Sequence, residues 1–220
     1  MRRIPAITVT VPLLAVCVVL AAAFPARATT IQRMNIAKLI ENSDLIVSGS
    51  VVALADGFDT NNLPYTEITL QIDDAVKGAP GGSTYTFRQF GLMAPKVMPN
   101  GQVYVGVSPD GWPHFELGEA VIVFLHPRTS LGFQSAAGLV QGKFTIRDDF
   151  VRNDLDNVGL FAGLSIDTSK MTEAEIKMTR MSRGRCSAQT FKGFVRKAVA
   201  EGWFVQNDGK LPGGVKRDQK

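Results

Sequence analysis

Two histidines, two cysteines, a few serines and several carboxylate pairs are the groups through which this chain could do chemistry. His114 stands in DGWPHFELGE and His126 in VFLHPRTS. A catalytic zinc ordinarily takes three protein ligands with histidine prominent, and no H-E-x-x-H or comparably clustered spacing occurs here. His126 closes an apolar run just before Pro127, which reads as a polar cap at a strand end. His114 follows Trp112 and Pro113 in a loop, where ligand contact is open. Cys17 lies in the apolar N-terminal segment, so Cys186 is the one thiol expected in a processed chain, and it can form no intrachain disulfide. It reads as a partly buried thiol near a helix start; pairing between chains and nucleophilic chemistry are the alternatives.

The serines lack a G-x-S-x-G elbow. KGAPGGSTYTF has a glycine pair but neither the order of a phosphate loop nor a helix after it. Asp73 and Asp74, like Asp148 and Asp149, read as solvated strand ends, because spacing alone does not make an acid and a base. No catalytic set, no metal site and no cofactor is expected from these residues.

Binding is better provided for. GLMAPKVMPNGQVYVGVSPDGWPHF, Gly91 to Phe115, carries Met93, Met98, Tyr104, Trp112 and four prolines between two strands. A long, stiffened, aromatic excursion from a compact domain is where a ligand surface is expected; folding back to cap the domain is the alternative. The expected contact residues are Arg88, Tyr104, Trp112 and His114, which supply aromatic faces and a cation.

The elements that must position these residues are mostly strands. In YTEITLQIDDAVKG, Thr66, Ile68, Leu70 and Ile72 share one face, the period of a half-buried strand. The same phase would turn Asp74 inward, so a bulge or an end is expected near Asp73 and Asp74. DLIVSGSVVAL is β-branched, with Gly49 at a bend or close approach. STYTFRQF sets Tyr85, Phe87 and Gln89 against Thr84, Thr86, Arg88 and Phe90. GEAVIVFLHP reads as a strand buried on both faces, and GFQSAAGLVQGKFTIRDD as a hairpin divided at Gly138 to Gly142. Helical spacing appears at Ile36, Leu39 and Ile40, and again from Ser187 through Phe191, Phe194, Val195, Ala198 and Val199 to a stop at Gly202.

The ends bound the setting. Residues 1–28 join a basic start, an apolar run and Ala26-x-Ala28, the anatomy of a secretory signal peptide, so a chain beginning at Thr29 is expected. The run is shorter than the roughly 20 residues that span hydrocarbon, and no stable membrane insertion is expected after cleavage. Without Arg2, Arg3 and Arg27, 21 basic face 20 acidic residues, and the basicity that would suggest nucleic acid disappears. The expected layout is a β-barrel over 29–149, a connector with a short helix near Met171 to Arg180 over 150–186, a helix over 187–204 and a flexible tail over 205–220.

SDLIVSGSVVAL, YTEITLQIDDAVKG, RQFG, FELGEAVIVFLHP and GLVQGKFTI, taken in that order, resemble a family of uncharacterised secreted bacterial proteins. The first two strands are distantly similar to the netrin and metalloproteinase-inhibitor module. The resemblance, over about Ile31 to Arg147, implies a mainly β, small OB-like antiparallel barrel with flanking helices. It implies no activity, because the inhibitor's N-terminal cysteine has no counterpart at Thr29 and Thr30. The expectation is a secreted or periplasmic, non-enzymatic module for a protein, peptide or glycan. The alternatives are an envelope hydrolase built from His114, His126 and an acid, or a structural component presenting Trp112 or Trp203.

Overall fold

The computed structural model describes residues 32–98 and 100–203; the expected leader and tail lie outside them. The chain is mainly β. Helix α1 (Ile36–Glu41) is capped by Asn35, whose side chain accepts from the Lys38 N–H, and it buries Ile36, Leu39 and Ile40. Two 14-residue strands follow, β1 (Leu45–Phe58) and β2 (Pro64–Lys77), then β3 (Thr84–Phe90). The short pair β4 (Lys96–Val97) and β5 (Val103–Tyr104) stands apart. β6 (Ala120–Leu125), β7 (Lys143–Arg147) and β8 (Phe150–Arg152) precede helix α2 (Glu173–Thr179), and β9 (Cys186–Ser187) leads directly into helix α3 (Ala188–Ala200). Ser187 caps α3, as its sequence position predicts.

The seven-stranded sheet runs β3-β2-β1-β6-β7-β8-β9, antiparallel throughout. Apolar clusters cover both of its faces. Ile46, Ile122, Phe124 and Phe144 pack with Phe191, Phe194 and Val195 of α3 on one face. Val47, Val51, Ile68, Leu70, Phe87, Val121, Val123 and Leu125 form the second core on the other. β6 feeds both, which is why its sequence is apolar without alternation.

The bulge expected near Asp73 is present. Ser48 pairs with Asp74 and Gly49 with Ile72, so Asp73 is left over. The extra residue moves Asp74 to the helical face, where it accepts from Arg196 of α3 at 2.5 Å. Gly49 marks a close approach: a Cβ there would sit 2.1 Å from the Gln71 carbonyl oxygen.

The closed barrel expected from the sequence is not formed; the sheet is open, with β3 and β9 at its two edges. Phe133 to Ala137 crosses from β6 towards β3 through isolated bridges, Leu125 to Ala136 and Arg88 to Phe133. Gly138 at φ 65° and the 3-10 turn Leu139–Gln141 then break this segment before it can extend a ladder. The expected hairpin across Gly138 to Gly142 is therefore replaced by another. β7 pairs with β8 through Asp148 and Asp149, both at positive φ, and the stretch expected as a connector supplies β8 and β9. Between them Asn153 and Asn157 are buried and bond to each other's backbone N–H, which fixes the loop against the sheet.

Candidate functional site

The 91–115 excursion divides into two parts. The first projects. Asp56 on β1 anchors its base by accepting from the Met93 N–H, at 3.0 Å to each carboxylate oxygen, and Ser108 N–H donates to the Leu92 carbonyl at 2.9 Å. Beyond that base β4 and β5 pair, and the Tyr104 ring meets Phe58 edge-on at 5.1 Å. Tyr104 thus fastens the hairpin to β1. Val103 faces Val97 across this pair, and Val103, Val105 and Val107 are 57%, 72% and 44% exposed, the chain turning between the last two where the Val107 N–H donates to the Val105 carbonyl at 2.9 Å. Val97 and Met93, also exposed, add to a ridge that is aliphatic rather than aromatic.

The second part returns and caps the sheet. Val140 N–H donates to the Gly111 carbonyl, and the Gln89 side-chain amide donates to the Pro113 carbonyl at 3.0 Å. Phe115 then lies edge-on to Phe87 at 5.7 Å, over the second core. The segment thus caps the sheet at its end, as the fold-back reading expects, and is exposed at its middle.

The four expected contact residues are not gathered in one place. Arg88 is paired with Glu67 at 2.9 Å and stacked 4.3 Å over Tyr65, and the Glu67 hydrogen bond raises its already high pKa. It serves the outer face of β2 and β3. Trp112 is half-buried in the cap. Only His114, exposed, lines the cavity at the foot of the hairpin.

That cavity, of about 110 Å³, is walled by Leu54, Ile68, Met93, Pro113 and Phe115, with Thr66, Gln89, Ser108 and His114 as its polar lining. Gln89 is buried, yet its Oε1 has no hydrogen-bond partner; among the described residues no other buried side-chain oxygen or nitrogen is left so. The alternation that puts Gln89 beside Phe87 on the inward face was the sequence signal for it. A second, open concavity of about 510 Å³ lies along β7 and β8. It is lined by Arg147, Arg152 and Arg185 against Asp148, Asp154 and Asp156, an even balance that selects neither cation nor anion.

Between these concavities lies a buried ion pair that sequence reading missed. Lys143 and Glu119 meet at 2.6 Å with side chains 6% and 9% exposed. Thr145 donates to the same Glu119 oxygen at 2.6 Å, and the Lys143 ammonium lies 5.3 Å over the Phe115 ring. Glu119 also accepts from the Glu116 N–H. With its charges matched and three hydrogen bonds on the Glu119 carboxylate, the network ties the cap to the sheet. Lysine within GKFTI gives no periodic sign of burial, since only the tertiary contact with Phe115 encloses it.

The nucleophile and metal candidates are tested by their surroundings. Cys186 is buried, and burial pushes its thiol up to about 12, far from the thiolate a nucleophile needs. His126 directs Nδ1 at the Asn42 carbonyl oxygen, 2.8 Å away, while Gln134 donates to its carbonyl. It fastens α1 to β6. No cluster of three His, Cys, Asp or Glu side chains suited to a metal occurs among the described residues. No helix among them is long and apolar enough to cross a membrane. No protein-family model, curated protein or solved structure matches the chain.

Proposed function

We propose that this protein is an exported, non-enzymatic binding module, secreted or periplasmic, that engages a protein, peptide or glycan through the projecting part of the 91–115 excursion. The resemblance to secreted OB-like modules is the support for the setting. The carrying observation is the ridge itself. Val97, Val103, Val105 and Val107 stand exposed on a hairpin that is anchored at its base by Asp56 and along its length by Phe58 and Tyr104. Apolar area held in water on a preorganised element is available for burial against a partner at roughly 25 cal/mol per Å². Aliphatic side chains match the apolar side chains of a peptide, whereas sugars stack on aromatic rings, so a protein or peptide is the favoured ligand class.

The hydrolase alternative has weaker support. His126 is spent on a structural contact, and His114 lines a cavity to which His126 does not belong. The test is to export the full chain, confirm by mass that it begins at Thr29, and select binders from a displayed peptide library alongside a glycan array. Replacing Val103 and Val105 together by Asp should weaken the selected peptides by about tenfold or more. Unchanged binding by that variant, or selection of glycans alone, would overturn the ridge as the contact surface.

A further inference from the structure

We infer that Asn100, at the tip of the hairpin that carries the ridge, is a self-modification site, where the side-chain amide is lost as ammonia and replaced by a carboxylate. The inference concerns the chain's own covalent chemistry and does not rest on the peptide-binding reading. Asn100 is followed by Gly101, the one Asn-Gly step in the sequence. An asparagine side chain holds its Cγ carbonyl within ring-closing reach of the next backbone nitrogen, so attack is intramolecular and is held back mainly by the side chain of the following residue. Glycine removes that obstacle. Each of the other described asparagines precedes a residue with a side chain, and Asn153 and Asn157 are buried and hydrogen-bonded as well.

The surroundings of the tip favour the reaction. Asn100, Gly101 and Gln102 are exposed, so water and hydroxide reach them. The Gln102 N–H donates to Asn100 Oδ1 at 3.0 Å, the oxygen on which negative charge develops when Cγ becomes tetrahedral. Gly101 adopts φ 81°, and no neighbouring heavy atom lies within 4 Å of where a Cβ would stand, so its backbone can turn towards Cγ unhindered. One contact opposes the attack: the Gly101 N–H donates to the Met98 carbonyl at 2.9 Å, and this bond must open first. Opening at an exposed loop tip is among the least costly motions of a fold.

The chemistry needs only water and hydroxide. Hydroxide takes the Gly101 amide proton, the nitrogen's electron pair forms a bond to Cγ, and the Cγ–Nδ2 bond breaks as Nδ2 takes a proton from water and leaves as ammonia. Water then opens the cyclic imide. Addition at Cγ gives aspartate; addition at the Asn100 backbone carbonyl gives isoaspartate, with the main chain running through Cγ. Either product puts a negative charge into the stretch 97–107, which otherwise has no charged side chain, and the isoaspartyl form lengthens the loop that joins β4 to β5.

The test is to incubate the full chain at neutral and mildly alkaline pH, folded and in urea, and to follow each asparagine by peptide mapping. Electron-transfer fragmentation separates isoaspartate from aspartate. In the folded chain Asn100 is expected to convert at least about tenfold faster than every other asparagine, at a rate that rises with hydroxide and lies within about tenfold of its rate in urea. Isoaspartate should be among the products. Gly101→Ala should slow the conversion by about tenfold or more, because the added methyl restores the obstacle to ring closure. Comparing asparagines within the unaltered chain keeps the test independent of how that variant folds. An Asn100 that persists in the folded chain while converting in urea would overturn the inference, since the bond from Gly101 to Met98 would then protect the tip. Conversion at Asn100 no faster than at the other asparagines, or without any isoaspartate, would overturn it as well.

Discussion

Glu175 shows how a single side chain carries several structural tasks. Burial acts most strongly on its carboxyl and pushes the pKa up; hydrogen bonds from Lys197 at 2.7 Å and from the Thr172 N–H at 2.8 Å together outweigh it, and the net position is below the ordinary 4.5. The same carboxylate closes the capping box of α2 and ties that helix to α3. A folded pKa below the unfolded one stabilises fully above the unfolded value, and that contribution disappears as the pH falls through the folded value. Glu175→Gln should therefore cost about 1–3 kcal/mol near neutrality, with the deficit closing as the solution is acidified below 4.5. Urea midpoints from about pH 3 to pH 7 check this; a deficit constant across the range would refute the charge-linked role. Residue roles were unevenly legible. The place of His126 at a strand end followed from its closing an apolar run before Pro127, and the face that Gln89 shares with Phe87 followed from an alternating pattern. The pairing of Lys143 with Glu119 did not, because the partners are 24 positions apart and meet only across β6 and β7.

At the scale of elements, sequence patterns identified units more readily than partners. β2 was readable from its period, and α3 from its apolar stripe and Ser187 cap. The choice between Phe133 to Ala137 and Phe150 to Arg152 as partner of β7 was not, since both are short and the deciding feature is turn geometry. Arg147 faces Phe150 across two residues, and Asp148 and Asp149 adopt φ 50° and 63°, the left-handed pair of a type I′ turn. That twist matches the strands and selects this hairpin. Asn-Gly is the sequence best suited to such a turn, because glycine removes the steric cost of positive φ. Changing Asp148 to Asn and Asp149 to Gly should raise stability by about 0.5–1 kcal/mol, seen as a higher urea midpoint at unchanged slope. A lower midpoint would show that the aspartates hold the turn through contacts of their own.

The whole molecule is organised around β6. Val121, Val123 and Leu125 enter the core capped by the excursion, while Ile122 and Phe124 enter the core covered by α3. Removing either core exposes one side of the same six residues, so neither half of the fold has a complete central strand without the other. The open edge at β3 reinforces this coupling: Gln134 accepts from the Tyr85 hydroxyl, donates through its backbone to the Arg88 carbonyl and through its side chain to the His126 carbonyl. One residue thus links β3 to the end of β6. The sequence announced a compact β unit with helical flanks, but closure depends on which long-range pairs win, and here bridges across Gln134 replace a ladder. Such an arrangement should unfold as one unit. The two tryptophans lie in suitable places to show it, Trp112 in the cap and Trp203 edge-on to Phe194 at 5.6 Å under α3. In the variants Trp112→Phe and Trp203→Phe, each retaining one reporter, urea curves followed by fluorescence should have the same midpoint and slope once each variant's stability is referenced to far-UV dichroism. If the Trp112 signal instead moved well before the dichroism, the cap and its hairpin would be a separate, weaker folding unit, and the ridge they carry would be a surface that forms only with its partner.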